Sequence, residues 1–170
     1  MHSFVETGTF WGDMVYANKN VFRKIFSIEL DQDLYEQAKK RFFNEAHISI
    51  LQGASGEIIA KVLAEINEPC LFWLDGHYSE GVTAKGKLET PIRQELKHIL
   101  NHRIQGHVIL IDDARQFVGQ NDYPKIAELR QLILGHNPGW VFEVKDDIIR
   151  AYKNGNSRRS PHLIRGDVLV

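Results

Sequence analysis

Acidic residues, glycines and small polar residues recur in this sequence wherever an apolar run ends. Five apolar runs show this pattern. The residues that close or follow them, in chain order, are Glu6, Gly8 and Gly12 for the first run, Glu29 for the second, Gln52, Gly53, Ala54 and Ser55 for the third, Asp75 for the fourth, and Asp112 and Asp113 for the fifth. Glycines let a backbone approach a ligand closely, and carboxylates accept hydrogen bonds or bind cations. A ligand site at the ends of these runs is therefore predicted.

The first of these loops, Phe4–Asp13, reads FVETGTFWGD. Its glycine spacing is G-x-x-x-G, which is not the G-x-G-x-x-G fingerprint of dinucleotide sites. An acid two residues before Gly8 would repel a pyrophosphate and attract a cation, so Glu6 favours a ligand whose reactive end is positive. Glu29 lies about 20 residues further on, where an acid can accept both hydroxyls of a ribose. The alternatives are a plain turn for the glycines and a solvated acid for Glu29.

The elements that must position these residues alternate between strands and helices. Strands are predicted at Ser3–Glu6, Lys24–Asp31, His47–Gly53, Cys70–Asp75 and His107–Asp113; helices are predicted at Gly12–Asn20, Asp33–Phe43, Ile58–Ile66, Ile92–Leu100 and Ile126–Ile133, and a hairpin at Trp140–Gly155. This order predicts an α/β fold, a Rossmann-like doubly wound and mostly parallel seven-stranded sheet with a terminal antiparallel hairpin strand. In such sheets, ligands bind beyond the carboxyl ends of the strands, where the polar residues cluster.

Composition excludes several classes of function. The chain has 170 residues and a net charge of −1, without the basic excess of a general nucleic-acid binder. It contains neither a membrane-length apolar run nor a signal-peptide pattern, and its single cysteine, Cys70, is predicted to be a reduced core thiol. We therefore expect a cytoplasmic protein with no nucleic-acid or membrane partner. His98 and His102, spaced by four, are interpreted as the polar face of a helix rather than as zinc ligands.

Six segments of the chain resemble a known family. They are VETGTFWGD at Val5–Asp13, SIELD at Ser27–Asp31, ILQGASGEII at Ile50–Ile59, LFWLDGHYS at Leu71–Ser79, VILIDDARQ at Val108–Gln116 and FEVKDDIIRAYK at Phe142–Lys153. Together they resemble class I S-adenosylmethionine-dependent methyltransferases, and in particular the cation-dependent O-methyltransferases of the catechol and macrocin types. The resemblance covers roughly residues 3 to 153.

The resemblance implies roles for individual residues. The cofactor would be bound by Glu6, Gly8, Phe10, Gly12, Glu29, Leu30, Gln52, Gly53, Ala54, Ser55 and Asp75. Glu6 would lie near its ammonium and Glu29 at its ribose, and Gln52, Ala54 and Ser55 would contact its adenine. Asp75, Asp112 and Asp113 fall where that family places magnesium ligands, and three carboxylates also suit another divalent cation. His77, or Asp75 through a water molecule, would remove the acceptor's proton, because Tyr78 stands where the catechol type has a lysine base.

The expected function is methyl transfer from S-adenosylmethionine to a hydroxyl of a small molecule, such as a sugar, with the help of a divalent metal. Residues 1–154 would form the cofactor-binding domain and residues 155–170 a tail. The first predicted strand starts close to Met1, without the helices that cover the cofactor in that family, so we expect either that Ser79–Pro91 and the tail act as a lid or that the cofactor pocket stays open. Three alternatives stay open: a non-catalytic cofactor-binding module or partner protein, a nicotinamide oxidoreductase, and a homodimer formed through the last hairpin.

Overall fold

A computed structural model describes residues 1–76 and 89–155. The strands are β1 Ser3–Thr7, β2 Lys24–Glu29, β3 Ile48–Gln52, β4 Cys70–Leu74, β5 Val108–Ile111, β6 Trp140–Lys145 and β7 Ile148–Lys153. The helices are α1 Asp13–Asn18, α2 Gln32–Arg41, α3 Ser55–Glu65, α4 Ile92–Leu100 and α5 Ile126–His136, with a 3₁₀ turn at Ala114–Gln116. The strands form one sheet in the order β3-β2-β1-β4-β5-β7-β6.

The predicted fold class is confirmed. Strands β1 to β5 pair in parallel, and β7 runs antiparallel to both β5 and β6. The order reverses beside β1: the chain moves outward through β2 and β3 and then returns to β4 on the other side. Polar residues at the ends of β1, β2, β4 and β5 therefore meet at one edge, where a crevice is expected.

Side chains of β1 alternate between two core layers, because both faces of a central parallel strand are covered. Val5 packs in the larger cluster with α3, α4 and α5, whereas Phe4 packs in a second cluster with Val15 of α1 and Phe42. Both β1 side chains are fully buried. The same alternation places Glu6 on the α1 face and Thr7 on the face of α3 and α4, which brings polar atoms to both sides of one strand end.

The terminal hairpin is fastened to the loop after β5. Its turn residues Asp146 and Asp147 have φ of 54° and 60°, the left-handed pair that a tight two-residue hairpin requires. The carbonyl of Asp147 accepts from the backbone N–H of Ala114 at 2.8 Å, and its carboxylate accepts from the guanidinium of Arg115. This contact holds the hairpin against the end of β5 and fixes the start of the following loop.

A buried pair of histidines lies at the opposite edge of the sheet. The backbone N–H of Cys70 donates to Nδ1 of His107 at 3.1 Å, so that nitrogen carries no hydrogen and Nε2 donates to Nδ1 of His102 at 3.0 Å. The interpretation of His102 as part of a polar helix face was wrong, because α4 ends at Leu100 and the side chain of His102 is buried against His107. Cys70 is buried and free, as expected. Within the described residues, no helix is long and apolar enough to cross a membrane.

Protonation of His107 should destabilise the fold. Burial and, second, the neighbouring His102 lower the pKa of His107 to about 4, whereas the unfolded chain titrates near 6.5. The native state is then favoured above pH 6.5 and loses this contribution as the pH falls towards 4, by at most about 1.4 kcal/mol per pH unit. Urea unfolding between pH 4.5 and 7.5 should show that the free energy of unfolding of the wild-type chain falls as the pH falls. This dependence on pH should be shallower in His107→Asn, whose amide oxygen can still accept from the N–H of Cys70. Parallel pH profiles for the two chains would contradict this assignment.

Candidate functional site

The loop after β1 lies directly against the loop after β4. Gly8 has φ of 82°, and its N–H donates to the carbonyl of Ile28 at 2.9 Å. A Cβ atom at Gly8 would lie 2.4 Å from the carbonyl oxygen of Asp75, so a side chain has no room there. The backbone of Asp75 is itself held to β1, since its N–H donates to the carbonyl of Thr7 at 3.1 Å. These contacts hold the loop after β1 against the end of β4, where the fold predicts a ligand crevice.

The glycine loop then turns towards β2. Phe10 has φ of 50°, and its N–H donates to Oε2 of Glu29 at 2.8 Å. Gly12 has φ of 79° and precedes α1; a Cβ atom there would lie 2.7 Å from the ring of Phe42. The side chain of Phe10 is largely exposed beside the crevice. The loop is therefore a fixed turn whose backbone borders the site.

Glu29 is held rigidly at the end of β2. Its Oε1 accepts from the backbone N–H of Asp31 at 2.9 Å, and its Oε2 accepts from Phe10. The side chain is buried even though it lies at the strand end. Each carboxylate oxygen has more than one lone pair, so an oriented carboxylate of this kind can also accept from ligand hydroxyls. This is the position that the sequence assigns to ribose binding.

Glu6 is buried on the α1 face of β1. It accepts from the hydroxyl of Ser27, which in turn lies 2.6 Å from the hydroxyl of Thr9. Burial raises the pKa of Glu6 well above its usual value; the Ser27 hydrogen bond opposes the shift, and the charges of Asp75, Glu29 and Asp13 add to it. Ser27 and Thr9 were not predicted as site residues. The signal in the sequence was Ser27, a polar residue inside an apolar strand, and the structure pairs it in register with Glu6.

The residues predicted to surround an adenine ring lie together beyond β2 and β3. Gln52 donates from its side chain to the carbonyl of Leu30 at 3.1 Å, and the N–H of Gly53 donates to the carbonyl of Glu29 at 2.8 Å. Ala54 then precedes α3, whose first residue is Ser55. The structure thus brings Gln52 and Gly53 next to Glu29, and the side chains of Gln52 and Ala54 are exposed to solvent; their contact with an adenine stays a prediction.

Ser55 does not face that side. Its hydroxyl donates to Oε1 of Glu95 at 2.6 Å, and both residues are buried. Glu95 lies on α4 and was missed by the sequence analysis, which read that helix by its apolar positions alone. The signal was its spacing: Glu95 is three residues after Ile92 and four before Ile99, inside the apolar stripe.

Glu95 reaches a narrow cleft between the ends of β4 and β5, with room for about one water molecule. The cleft is lined by Leu74, Asp75, Gly76, Thr90, Ile92, Glu95, Ile111, Asp112, Phe117 and Tyr123. Three of these residues are acidic, and none is a lysine or an arginine. Burial, together with the charges of Asp113, Glu89 and Asp75, raises the pKa of Tyr123 to about 12, so its phenol stays protonated. The cleft therefore carries negative charge next to the glycine loop.

The three predicted metal ligands do not form one site in this structure. Asp113 has φ of 53°, and its carboxylate pairs with Arg115 at 2.8 Å and accepts from Gln116 at 3.1 Å. The carboxylate of Asp112 accepts from the N–H of Asp113 at 2.9 Å. Over residues 1–76 and 89–155, no group of three or more His, Cys, Asp and Glu side chains is arranged to hold a metal ion. These residues do not fit the expected magnesium site.

Several predicted residues lie outside the part of the chain that the structure describes. They are the proposed base His77, most of the expected lid Ser79–Pro91, and residues 156–170 of the tail. Their roles stay predictions. Asp75, the other candidate for proton removal, lies at the cleft as expected.

Solved structures share this architecture. A proposed rRNA methylase from Clostridium thermocellum matches with a TM-score of 0.64 at 10% identity, over 88% of this chain and 86% of that one. The Podospora anserina methyltransferase PaMTH1, solved with SAH bound, matches with a TM-score of 0.59 at 13% identity, over 89% and 71%. A proposed Streptococcus mutans methyltransferase in complex with SAH matches with a TM-score of 0.59 at 12% identity, over 89% and 86%.

The chain shares the seven-stranded α/β fold of these solved methyltransferases. No family model and no curated protein sequence matches it. In a methyltransferase fold, the crevice at the ends of β1, β2 and β4 is the place where the glycine loop, Glu29 and Glu6 converge. The similarity does not identify a substrate, because identities of 10 to 13% establish architecture alone.

Replacing Gly8 by alanine should damage both the loop and the fold. Alanine at φ of 82° is strained, and its Cβ atom would collide with the carbonyl oxygen of Asp75. We expect the free energy of unfolding to fall by about 2 kcal/mol or more, measured by chemical denaturation. Gly139→Ala is the matched control, because a Cβ atom there meets nothing within 4 Å. Equal stability of the two variants would show that the contact between the β1 and β4 loops does not constrain the structure.

Proposed function

We propose that this protein binds S-adenosylmethionine at the crevice beside β1 and transfers its methyl group to a hydroxyl of a small molecule. The observation that carries the proposal is the carboxylate of Glu29, fixed by the N–H groups of Phe10 and Asp31 next to the glycine loop. An acid held in this way at the end of β2 suits the two hydroxyls of a ribose. Neighbours with the same fold that were solved with SAH support the choice of cofactor.

The remaining crevice residues fit the other parts of this cofactor. The backbone from Gly8 to Gly12 packs closely against Asp75 and Phe42, and such a fixed loop would bind the methionine part of the cofactor. Glu6 lies behind that loop, and a carboxylate there favours the ammonium of the cofactor. Leu30, Gln52 and Ala54 adjoin Glu29 and would contact the adenine.

The cofactor supplies a methyl group on a positively charged sulfur. The residues of this chain contribute alignment through a rigid loop and an oriented carboxylate. An acceptor hydroxyl must also lose a proton. Asp75 lines the cleft and is available for that role, and His77 stays the second candidate from the sequence.

The charge of the cleft favours a neutral or cationic small acceptor. Asp75, Glu95 and Asp112 all line it, and no basic side chain among its described lining residues would bind a phosphate. RNA methylation, the activity named for one of the similar structures, would require binding a polyanion. A net charge of −1 also gives no general attraction for nucleic acid. We therefore place a hydroxylated small molecule ahead of RNA.

Metal assistance is a separate hypothesis, derived from the resemblance and from the three aspartates. Asp75 and Asp112 line one cleft, but Asp113 pairs with Arg115. Turnover measured with magnesium and with a chelator decides the matter: equal rates reject metal assistance, and loss of turnover in the chelator supports it.

The cofactor assignment is tested by calorimetric titration of S-adenosylmethionine into the wild-type chain and into Glu29→Gln. We expect micromolar binding to the wild type. The affinity of the variant should be lower by about tenfold or more, since hydrogen bonds to a charged group contribute roughly 1.5–3 kcal/mol. Glu65→Gln is the matched control, because it is exposed at the far end of α3. Unchanged affinity in Glu29→Gln would remove this residue from the site, and no binding to the wild type would refute the proposed function.

A further inference from the structure

Three neighbouring strands, β4, β5 and β7, carry large apolar side chains on the α1 side of the sheet. The six side chains, two from each strand, are Leu71, Trp73, Val108, Leu110, Ile148 and Tyr152. With about 4.8 Å between strands and about 7 Å between alternate residues of one strand, they cover an area of roughly 14 by 14 Å. These six residues are called the apolar face below.

The described helices do not supply a cover for the whole apolar face. Helices α3, α4 and α5 pack in the other core cluster, on the opposite side of the sheet. In the cluster that contains the apolar face, the described apolar residues outside the sheet are Met14, Val15, Phe22 and Phe42. The first two belong to α1, Phe22 stacks on Phe4 of β1, and the ring of Phe42 lies against Gly12. These contacts keep all four at the β1 side of the cluster, away from β5 and β7.

The apolar face is nevertheless buried. Trp73, Leu110 and Ile148, one from each of the three strands, are only 3%, 4% and 8% exposed. Burial of apolar side chains away from water is the main favourable contribution to folding, so a face of this kind requires a covering element. Because the described helices do not provide it, the cover must come from elsewhere in the chain. The candidates are the two segments outside the described residues, 77–88 and 156–170.

Composition and position favour segment 156–170 over segment 77–88. The latter reads HYSEGVTAKGKL, has only Val82 and Leu88 as large aliphatic residues, and leads to α4, whose apolar side chains pack on the opposite side of the sheet. Segment 156–170 reads NSRRSPHLIRGDVLV, and its five large aliphatic residues are Leu163, Ile164, Val168, Leu169 and Val170. A face of six apolar side chains needs a comparable number of apolar partners, which the second segment alone contains.

The path of the backbone leads to the same segment. β7 runs antiparallel to β5, with Ala151 opposite Ile109, so β7 ends at the edge of the sheet where β5 begins. Asn154 and Gly155 form a turn immediately after β7, and Gly155 has φ of 113°. A turn at this point directs the chain back over the sheet. Fifteen residues span about 22 Å as a helix and at most about 50 Å when extended, which is enough to cross an area roughly 14 Å long.

We propose that segment 156–170 docks on the apolar face of its own chain, with Leu163, Ile164 and residues 168–170 packed against β4, β5 and β7. The inference does not depend on the proposed function, because it follows from the burial of the sheet alone. It has a consequence for the crevice all the same. Trp73 pairs in register with Glu6, so both side chains lie on the same side of the sheet. The segment that covers Trp73 therefore lies next to the strand end that carries Glu6.

The docked contacts can be measured in the wild-type chain. Nuclear Overhauser effects are recorded between the methyl groups of Leu163 and Ile164 and the rings of Trp73 and Tyr152. An equal mixture of isotope-labelled and unlabelled chains separates contacts within one chain from contacts between two chains. We expect contacts within one chain. Contacts only between chains would mean that a second copy provides the cover, and no contacts from segment 156–170 would mean that it does not dock; either result overturns the proposal.

A pair of double variants tests whether the apolar side chains carry the contact. Leu163→Asp with Ile164→Asp should expose the apolar face, so the urea midpoint of unfolding should fall and the fluorescence of the apolar dye ANS should rise several-fold. Ser157→Asp with Ser160→Asp is the matched control, because it adds the same two charges to the same segment and removes no apolar side chain. The control should behave as the wild type does. Equal behaviour of the two variants would overturn the proposal, and if the first does not fold, the wild-type contacts decide.

Discussion

The contact between the loops that follow β1 and β4 is the constraint on which the candidate site depends. Gly8 packs against the carbonyl of Asp75 so closely that no side chain fits, and the N–H of Asp75 is bonded back to Thr7. This contact exists because β1 pairs in parallel with both β2 and β4, which places three strand ends side by side. The crevice is a consequence of topology, and the left-handed glycine allows its two walls to close at the bottom.

Two buried acids flank the strand end that this contact defines. Glu6 lies on the α1 face of β1 and Glu95 lies behind Thr7 on the opposite face, and each is bonded to a serine hydroxyl. Burial raises the pKa of both, so each favours the protonated state unless a positive charge is near. Such groups stabilise the folded protein at low pH. This contribution is lost as the pH rises through the pKa that the group has in the folded state.

The fold was predictable from the sequence because its signals are local and repeated. Continuous apolar runs ending in polar residues identified β4 and β5, and the Asp146–Asp147 pair identified the hairpin turn. The position of Glu29 was predictable because the end of β2 can be read from the sequence. Glu95 was not, since its importance arises from α4 packing against α3, a contact that no spacing in the sequence specifies. His102 was misread for the same reason, because its partner His107 belongs to a different element. The metal site depends on where three carboxylates point, and Arg115 engages Asp113, a pairing that requires the turn between β6 and β7.

The most direct measurement of the central claim is an NMR titration that follows backbone amides while S-adenosylmethionine is added. The amides of Phe10 and Asp31 donate to Glu29, so any ligand that binds this carboxylate must change their environment. We expect the chemical shifts of both amides and of the Gly8 amide to change in a saturable manner. The chemical shift of the Cys70 amide, at the opposite edge of the sheet, should stay constant. Saturable shifts confined to other regions, or no shifts at all, would contradict the assignment of this crevice as a cofactor site.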